Sequence, residues 1–432
     1  MKQIVLFFIT IPFLFWSQEQ LSLEDAIKVG LAQNFDILIA SKTSEINHNN
    51  NTWGQAGRYP TIDINIQQGN NISDQSNNPT SFIQQIIRSH SLQSSLNLNW
   101  VLFNGFKVKA NKEKLTLLEQ QSEGNASLIV ENTIQAIILS YYNAKLQREK
   151  IALLKNVLEL TRDKYNFQKV KQEMGTALTV DLLQYETAYL TDSSALVLQQ
   201  LAYKNAIRNL NLLMNTPSEK EWLLTTKLKT ELTTFDQQEL SQKMMQNNQN
   251  LKNQLLNIEL SNKELKLAKA NLYPVVSFNA GATNSNSQYY LGSLSTSGTT
   301  INYFGNFALS YRLFNGGRIK RAIANTQIQQ EITNLNIEKT KVKLNQELQI
   351  QLENYNTRLA IFEINKKAYA VSKKNLEIAH LKENSGLINS FNLREIEMAY
   401  LRAGVNLFNA MYSIIESKTN LTRLTGGIID NQ

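Results

Sequence analysis

Two hydrophobic periods alternate along this chain. In four segments apolar and polar residues alternate strictly, which is the pattern of a β-strand with one apolar face. The pattern predicts strands over about 61–70, 92–103, 275–284 and 303–314. In the first of them Ile62, Ile64 and Ile66 share one face. Segments 69–91 and 283–302 are rich in Ser, Asn and Gly, and they predict two long polar loops between paired strands.

A helical period fills most of the remaining sequence. Segments 105–173 and 316–384 contain no proline and are rich in Gln, Lys, Glu, Leu and Ile, so each predicts one helix about 100 Å long. Return helices are predicted over 179–214 and 390–425. Both carry apolar residues at a spacing of seven: Leu182, Tyr189, Leu196, Tyr203 and Leu210 in one, and Leu393, Tyr400, Leu407, Ile414 and Leu421 in the other. This spacing indicates lateral packing as in a coiled coil.

Shorter helical stretches at 21–55 and 237–271 precede the strand pairs. Ser22 is the expected N-cap of the first stretch, and Tyr-Pro dipeptides follow both stretches, where proline disfavours further helix.

The turns between long and return helices are also predicted. Gly175 and Gly386 are expected to end the long helices in a left-handed conformation. Thr179 and Ser390 are then expected to cap the return helices.

The same elements occur twice in the same order. LFNG at Leu102–Gly105 recurs 211 residues later at Leu313–Gly316, and Tyr59-Pro60 recurs 214 residues later at Tyr273-Pro274. We predict a signal peptide over 1–17, a first repeat over 18–215, a connecting segment over 216–236, a second repeat over 237–425 and a C-terminal tail over 426–432.

Composition narrows the function classes. The chain has no Cys and only three His, so we expect no thiolate site, metal site or cofactor. The net charge of +8 comes from Lys and Arg mixed with Glu and Gln along the helices, which favours solvated faces over nucleic-acid binding. Met1-Lys2 followed by an apolar run to Trp16 predicts export from the cytoplasm. No motif of a nucleotide-binding or nucleophilic enzyme is present, so we expect no catalysis.

The strands admit two interpretations. One is a soluble sheet with one wet face, and the other is a membrane sheet with apolar residues toward lipid. The second is favoured because aromatic residues gather near strand ends, as in an interfacial girdle. They are Trp100, Phe103, Phe106, Tyr311 and Phe314. Four strands cannot close a membrane barrel and open edges are excluded from lipid, so several chains must combine.

The ordered set of motifs resembles the TolC-like outer-membrane efflux proteins, the outer membrane factors of tripartite efflux and secretion systems. The motifs are LSLEDAIKVGLAQN from Leu21, the two units from Tyr-Pro to LFNG, and GTALTVDLLQYE from Gly175. The resemblance implies a mainly α fold with membrane β. Three chains would form a 12-stranded outer-membrane β-barrel continuous with a long periplasmic α-helical coiled-coil barrel.

The resemblance also implies a function and partners. The protein would be a passive export duct in the cell outer membrane with a periplasmic extension. An inner-membrane RND or ABC transporter would drive export through a periplasmic adaptor protein. A soluble periplasmic coiled-coil adaptor or scaffold is the alternative from another class, and an autonomous porin would contain far less helix.

Three groups of site residues follow from the resemblance. The helix turns that contact the adaptor map to Gly175, Thr176, Gly386 and Leu387. The periplasmic gate maps to Asp181, Gln184, Asn392 and Glu395. Family members carry acidic residues at the last two of these positions, so Asn392 departs from the pattern and Glu395 is the best candidate for a cation-binding constriction. The junctions between barrel and helices map to Pro60, Gly105, Pro274 and Gly316.

Overall fold

A computed structural model describes residues 19–176, 178–229 and 232–428. The predicted signal peptide lies outside the described residues, as do residues 429–432 of the predicted tail. Within the described part of the chain, no helix combines the length and the apolar composition that crossing a membrane requires.

The order of elements from α1 to α4 is repeated from α5 to α8. The strands are β1 Glu19–Leu21, β2 Thr61–Asp74, β3 Ile86–Phe103, β4 Trp222–Leu224, β5 Val275–Leu291 and β6 Leu294–Ser310. The helices are α1 Leu23–Gln33, α2 Phe35–Asn50, α3 Lys107–Glu173, α4 Thr179–Leu213, α5 Gln237–Asn247, α6 Gln249–Ala270, α7 Arg318–Asn384 and α8 Ser390–Leu424. The long helices α3 and α7 each have 67 residues, and the return helices α4 and α8 each have 35.

The chain divides into two compact units. The first comprises the described residues of Met1–Ala40, Ala126–Gln249 and Lys341–Gln432. The second comprises Ser41–Asn125 and Asn250–Thr340.

The core of the first unit surrounds the short parallel pair β1 and β4. Glu19 pairs with Trp222 and Leu21 with Leu224. Leu21 and Trp222 are buried together with apolar residues of the helices. The buried Tyr141 hydroxyl of α3 donates a 2.9 Å hydrogen bond to the Leu21 carbonyl, so the strand pair is anchored to a long helix.

The short helical stretches are interrupted, which the sequence prediction missed. Buried asparagines, Asn34 and Asn248, separate α1 from α2 and α5 from α6. The side-chain amide of Asn34 donates to the Leu213 carbonyl, and that of Asn248 donates to the Leu424 carbonyl, each at 2.9 Å. At each break the asparagine therefore donates to a carbonyl at the end of the return helix of its own repeat. Such a terminal carbonyl has no hydrogen-bond partner within the helix.

The second unit contains an antiparallel sheet in the order β2-β3-β5-β6. Each strand extends beyond its predicted end on the loop side, so the predicted loops 69–91 and 283–302 are wrong in extent: the intervals between paired strands shrink to 75–85 and 292–293. Polar residues can form part of these long strand pairs because the hydrogen bonds between the strands join backbone groups and do not require apolar side chains. The last strand ends at Ser310 rather than near 314.

The long helices begin slightly later than predicted, at Lys107 and Arg318 instead of 105 and 316. Gly105 and Gly316 precede these starts with φ values of +68° and +64°, which a right-handed helix excludes.

Candidate functional site: the helix turns and their ion-pair cluster

The two long helices, α3 and α7, end within the first unit in the same backbone motif. Gly175 and Gly386 have φ values of +73° and +70°. At the first turn the Gly175 N–H donates to Gln172 at 2.9 Å and the Thr176 N–H donates to Lys171 at 2.9 Å. The second turn repeats both bonds, from Gly386 to Glu383 and from Leu387 to Lys382, at 2.8 Å each. This is the Schellman motif, which satisfies terminal helix carbonyls.

The starts of the two return helices differ. The predicted caps Thr179 and Ser390 are wrong, because each is already the first helical residue. Asn389 caps α8, with its side chain accepting from the Asn392 N–H at 2.8 Å. Leu178 occupies the cap position of α4 and offers no side-chain acceptor. One turn thus has a polar cap and the other an apolar one.

The predicted gate residues lie just after these turns. Two of them, Asp181 and Gln184, contact the same side chain, that of Ser390. The Ser390 hydroxyl lies 2.9 Å from Asp181 Oδ1 and 3.3 Å from Gln184 Oε1. Ser390 therefore brings together the two gate residues of α4. Asn392 and Glu395 of α8 are exposed, and the described structure gives no direct contact between Glu395 and Asp181 or Gln184.

A cluster of ion pairs lies behind the turns and joins four helices. We call the set Lys164, Asp192, Glu383, Arg394 and Glu397 the ion-pair cluster. Arg394 of α8 makes a two-pronged contact with Asp192 of α4, at 2.8 Å from Nη1 to Oδ2 and 2.6 Å from Nη2 to Oδ1. Lys164 Nζ of α3 lies 2.8 Å from Glu383 Oε2 of α7. The same ammonium lies 3.2 Å from Glu397 Oε1, without the alignment of a hydrogen bond.

The cluster is unusual because two of its three carboxylates, Asp192 and Glu397, are buried. Asp192 is 3% exposed and Glu397 is 2% exposed. Thr161 adds a 2.8 Å hydrogen bond to Asp192. Burial has the largest single effect on Arg394 and opposes its charge, but the hydrogen bonds to Asp192 together with the negative charges of Asp192 and Glu397 outweigh it and raise the pKa of the guanidinium. A buried pair of this kind leaves a costly uncompensated charge when one partner is removed.

Tyr185 completes the cluster as a neutral donor. Its hydroxyl lies 3.4 Å from Glu383 Oε1. Burial, reinforced by the charge of Glu383, raises the pKa of Tyr185 well above its usual range. The phenol therefore stays protonated and able to donate to the carboxylate.

Sequence reasoning missed the cluster because it assigned the scattered charges to solvated helix surfaces. One signal was present. A second series of residues spaced by seven lies three positions after the apolar series of α4 that begins at Leu182. Its members are Tyr185, Asp192, Gln199 and Ala206. Asp192 thus occupies a position that faces the interior of a coiled coil, where a charge requires a partner. The described residues contain no group of three or more Asp, Glu, His or Cys arranged to hold a metal ion.

The predicted junction residues all lie in the second unit. Pro60 and Pro274 directly precede β2 and β5. The two glycines differ in surroundings: a Cβ on Gly105 would lie only 2.8 Å from the Cβ of Tyr273, whereas a Cβ on Gly316 would meet nothing within 4 Å. The Phe106 ring beside Gly105 contacts Tyr273 edge to face, with centroids 6.2 Å apart.

Comparisons with known proteins agree with this architecture. Residues 240–427 match the family described as outer membrane efflux protein. No curated protein matches the chain.

Solved structures match almost the whole chain. The Campylobacter jejuni CmeC outer membrane channel is 17% identical, with a TM-score of 0.75 covering 94% of this chain and 85% of that one. The open state of the Neisseria gonorrhoeae MtrE outer membrane channel is 16% identical, with a TM-score of 0.72 covering 94% and 89%. The Vibrio cholerae outer membrane protein VceC is 15% identical, with a TM-score of 0.69 covering 94% and 96%. At these identities the likeness establishes the fold.

These matches confirm the resemblance to TolC-like proteins and the predicted fold class, which is mainly α with two duplicated strand pairs. The predicted location in the cell outer membrane, with a periplasmic extension, agrees with the outer membrane channels to which the chain is similar.

Proposed function

We propose that this chain, whose second repeat matches the outer membrane efflux protein family, is the outer-membrane channel of a tripartite efflux or type I secretion system. It acts as a homotrimer and a passive export duct for small molecules or proteins. An inner-membrane RND or ABC transporter supplies the energy through a periplasmic adaptor protein, and the chain itself performs no catalysis.

The observation that carries this proposal is the exposed apolar face of the sheet. Ile62, Ile64 and Ile66 of β2 are exposed, as are Phe307 and Leu309 of β6. Apolar residues at alternate strand positions suit contact with lipid acyl chains. The edge strands β2 and β6 each pair on one side only, and open edges are excluded from lipid. Three copies would supply twelve strands and no free edge.

Membrane fractionation of the full-length protein tests the proposal. We expect it in the Sarkosyl-insoluble outer-membrane fraction, as a trimer that dissociates on heating and that conducts ions in planar bilayers. A soluble periplasmic monomer would exclude the channel and support the adaptor or scaffold alternative.

The turns at Gly175, Thr176, Gly386 and Leu387 are proposed to contact the adaptor. Leu387 is exposed directly after the second Schellman turn. We expect Leu387→Asp to abolish resistance to drugs, metals or detergents that the wild-type channel confers, while the trimer still assembles and conducts. The control is Leu212→Asp, since Leu212 is also exposed but lies at the opposite end of α4. Full resistance with Leu387→Asp would contradict adaptor contact at this turn.

The gate is proposed to involve Asp181, Gln184, Asn392 and Glu395, with Glu395 as its main charge. Threefold symmetry would place three exposed Glu395 carboxylates around one axis, and such a ring attracts cations. We expect Glu395→Gln to reduce cation selectivity and block by divalent cations in single-channel recordings. Unchanged selectivity and block would show that Glu395 lies outside the constriction.

A further inference from the structure

A cavity of about 330 Å³ lies in the second unit, between the start of α3 and the end of α6. Three lysines line it: Lys109, Lys266 and Lys269. The carboxylate of Glu113 also lines it, but that carboxylate lies 3.0 Å from Lys263 Nζ and 3.6 Å from Lys266 Nζ. Within the described part of the chain, neither Lys109 nor Lys269 forms an ion pair. The cavity therefore carries an excess of positive charge, which favours an anionic ligand.

A row of aromatic rings connects this cavity to the exposed apolar face of the sheet. Phe103 of β3 lies opposite Val276 of β5, which lies opposite Leu309 of β6, so all three share that face. The Phe103 ring contacts Phe106 edge to face, with centroids 5.4 Å apart. Phe106 in turn contacts Tyr273, and both rings line the cavity. The apolar face of the sheet therefore leads directly to the lysines.

Phe106 has a strained backbone conformation that its equivalent in the second repeat avoids. Its φ of +67° is unfavourable for a residue with a Cβ, and Phe106 is 64% exposed. An offset of 211 residues relates it to Gly317, which has a φ of +75°. Glycine therefore suffices for this turn. An exposed ring that is retained in spite of the strain indicates a role in binding.

The lysines of α6 are also specific to one of the two junctions. An offset of 214 residues relates Lys266 to Thr52 and Lys269 to Gln55, which are both uncharged. The duplicated chain thus forms the equivalent end of α2 without this lysine pair. The positive charge of the cavity is therefore not a requirement of the repeated fold.

We propose that this cavity binds the phosphate headgroup of an anionic glycerophospholipid. The phosphate contacts Lys109 and Lys269, and the acyl chains pass Phe106 onto the apolar face of the sheet. Such a lipid fits because the site is cationic at one end and continuous with an apolar surface at the other. The site rests on the proposed function, in which this junction lies at the periplasmic surface of the outer membrane, so the lipid belongs to the periplasmic leaflet.

Lipid binding to the full-length protein, purified in detergent, tests the site. The anionic probe is phosphatidylglycerol and the zwitterionic probe is phosphatidylcholine. We expect native mass spectrometry to show about tenfold tighter binding of phosphatidylglycerol, which should also raise the thermal midpoint. Equal binding of the two lipids would overturn the site.

Glycerol 3-phosphate distinguishes a lipid site from a site for free phosphate compounds. It carries the phosphate without acyl chains, so we expect no shift of the thermal midpoint at the concentration at which phosphatidylglycerol acts. A shift as large as that of the lipid would overturn the assignment of a lipid as the ligand.

A matched pair of variants tests the lysines. Lys109→Gln with Lys269→Gln should weaken phosphatidylglycerol binding about tenfold and leave phosphatidylcholine binding unchanged. The control is Lys252→Gln with Lys320→Gln, which removes the same charge from exposed positions of the same unit. Lys320 is the repeat equivalent of Lys109, and neither control residue lines the cavity. Equal loss in both double variants would indicate general attraction to the surface and overturn the site.

Phe106→Gly tests the aromatic part of the site, because it copies Gly317 of the second repeat. We expect a smaller shift of the thermal midpoint on adding phosphatidylglycerol. This shift compares lipid-bound with lipid-free protein of the same variant, so an altered stability of the variant itself cancels. An undiminished shift would overturn the proposed path of the acyl chains.

Failure of the site can be distinguished from failure of the proposed function. An outer-membrane trimer that conducts ions but does not distinguish the two lipids would overturn the site and leave the channel standing. A soluble periplasmic monomer would overturn the channel itself.

Discussion

The return helices α4 and α8 have the same length and the same heptad spacing, but they are covered to different extents. In both helices a residue of the heptad series, Leu196 of α4 and Tyr400 of α8, packs against the buried cluster that contains Leu153. α8 also buries Leu401 against α3, whereas the equivalent Leu190 of α4 is exposed. The difference shows that duplication creates each surface twice, while a single chain can cover only the internal one.

The two faces also differ in chemistry. The contact between the repeats includes Arg394 of α8 and Asp192 of α4, and the positions that the offset of 211 residues relates to them are Leu183 of α4 and Ala403 of α8. The charged pair is therefore specific to the contact within one chain. A buried pair with fixed geometry favours one partner over a similar one, because misplacing it leaves a charge unpaired.

The largest expected effect comes from breaking this pair. Asp192→Ala removes the two-pronged partner of Arg394 and leaves this partly buried guanidinium with only the longer carboxylate contact to Glu397 Oε2 at 3.6 Å, and we expect a loss of about 3–5 kcal/mol in the free energy of unfolding. The double variant Asp192→Ala with Arg394→Leu copies the residues at the equivalent positions, Ala403 and Leu183, and should recover most of this loss. Unfolding in urea, followed by circular dichroism at 222 nm, measures both. A double variant as unstable as the single one would show that the pair does not act as a unit.

The next effect distinguishes the two apolar faces. Leu401→Ala creates a cavity inside one chain and should cost about 3 kcal/mol of unfolding free energy. Leu190→Ala should leave the helical content of each chain unchanged and should lower the temperature at which the trimer dissociates. Helical circular dichroism and heat-modifiability gels separate the two quantities. Equal loss of helical content in both variants would contradict the comparison.

A smaller effect compares the junction glycines. Gly316→Ala incurs the strain of a left-handed residue, about 1–2 kcal/mol. Gly105→Ala incurs the same strain and also a clash with the carbonyl of Ala270, for which overpacking adds about 1–3 kcal/mol. We expect Gly105→Ala to lower the thermal midpoint of the full-length protein more. The reverse order would show that Gly316 is the more tightly packed glycine in the assembled protein.

The smallest effect concerns the helix caps. Asn389→Ala removes the side-chain acceptor at the start of α8 and should cost about 1 kcal/mol. Leu178→Ala removes no such acceptor and should have little effect on the cap, whereas Leu178→Asn should stabilise α4. Hydrogen exchange of the first turn of each return helix reports these differences locally. Equal exchange in Asn389→Ala and wild type would show that the cap contributes nothing.

Much of the fold was predictable because the spacing of apolar residues within each segment indicates whether it forms a strand or a helix. Alternation located the four sheet strands, and the absence of proline located the long helices. The turn glycines marked the helix ends, since few other residues accept a positive φ. The strand ends were less predictable, because residues such as Asn70 and Asn71 are polar on both faces of the ribbon. The breaks at Asn34 and Asn248 were missed because their hydrogen bonds reach carbonyls 179 and 176 residues away.

The sequence by itself determined the four sheet strands, the long and return helices, their order, their apolar sides and the duplication that relates them. Only the tertiary structure decided which of two equivalent faces is covered, and which charges lie inside. The hydrophobic period along a helix or strand shows which of its faces is apolar, but it does not show which other helix or strand packs on that face. The pairing of Arg394 with Asp192 joins residues 202 positions apart, and its burial depends on four helices meeting at one place.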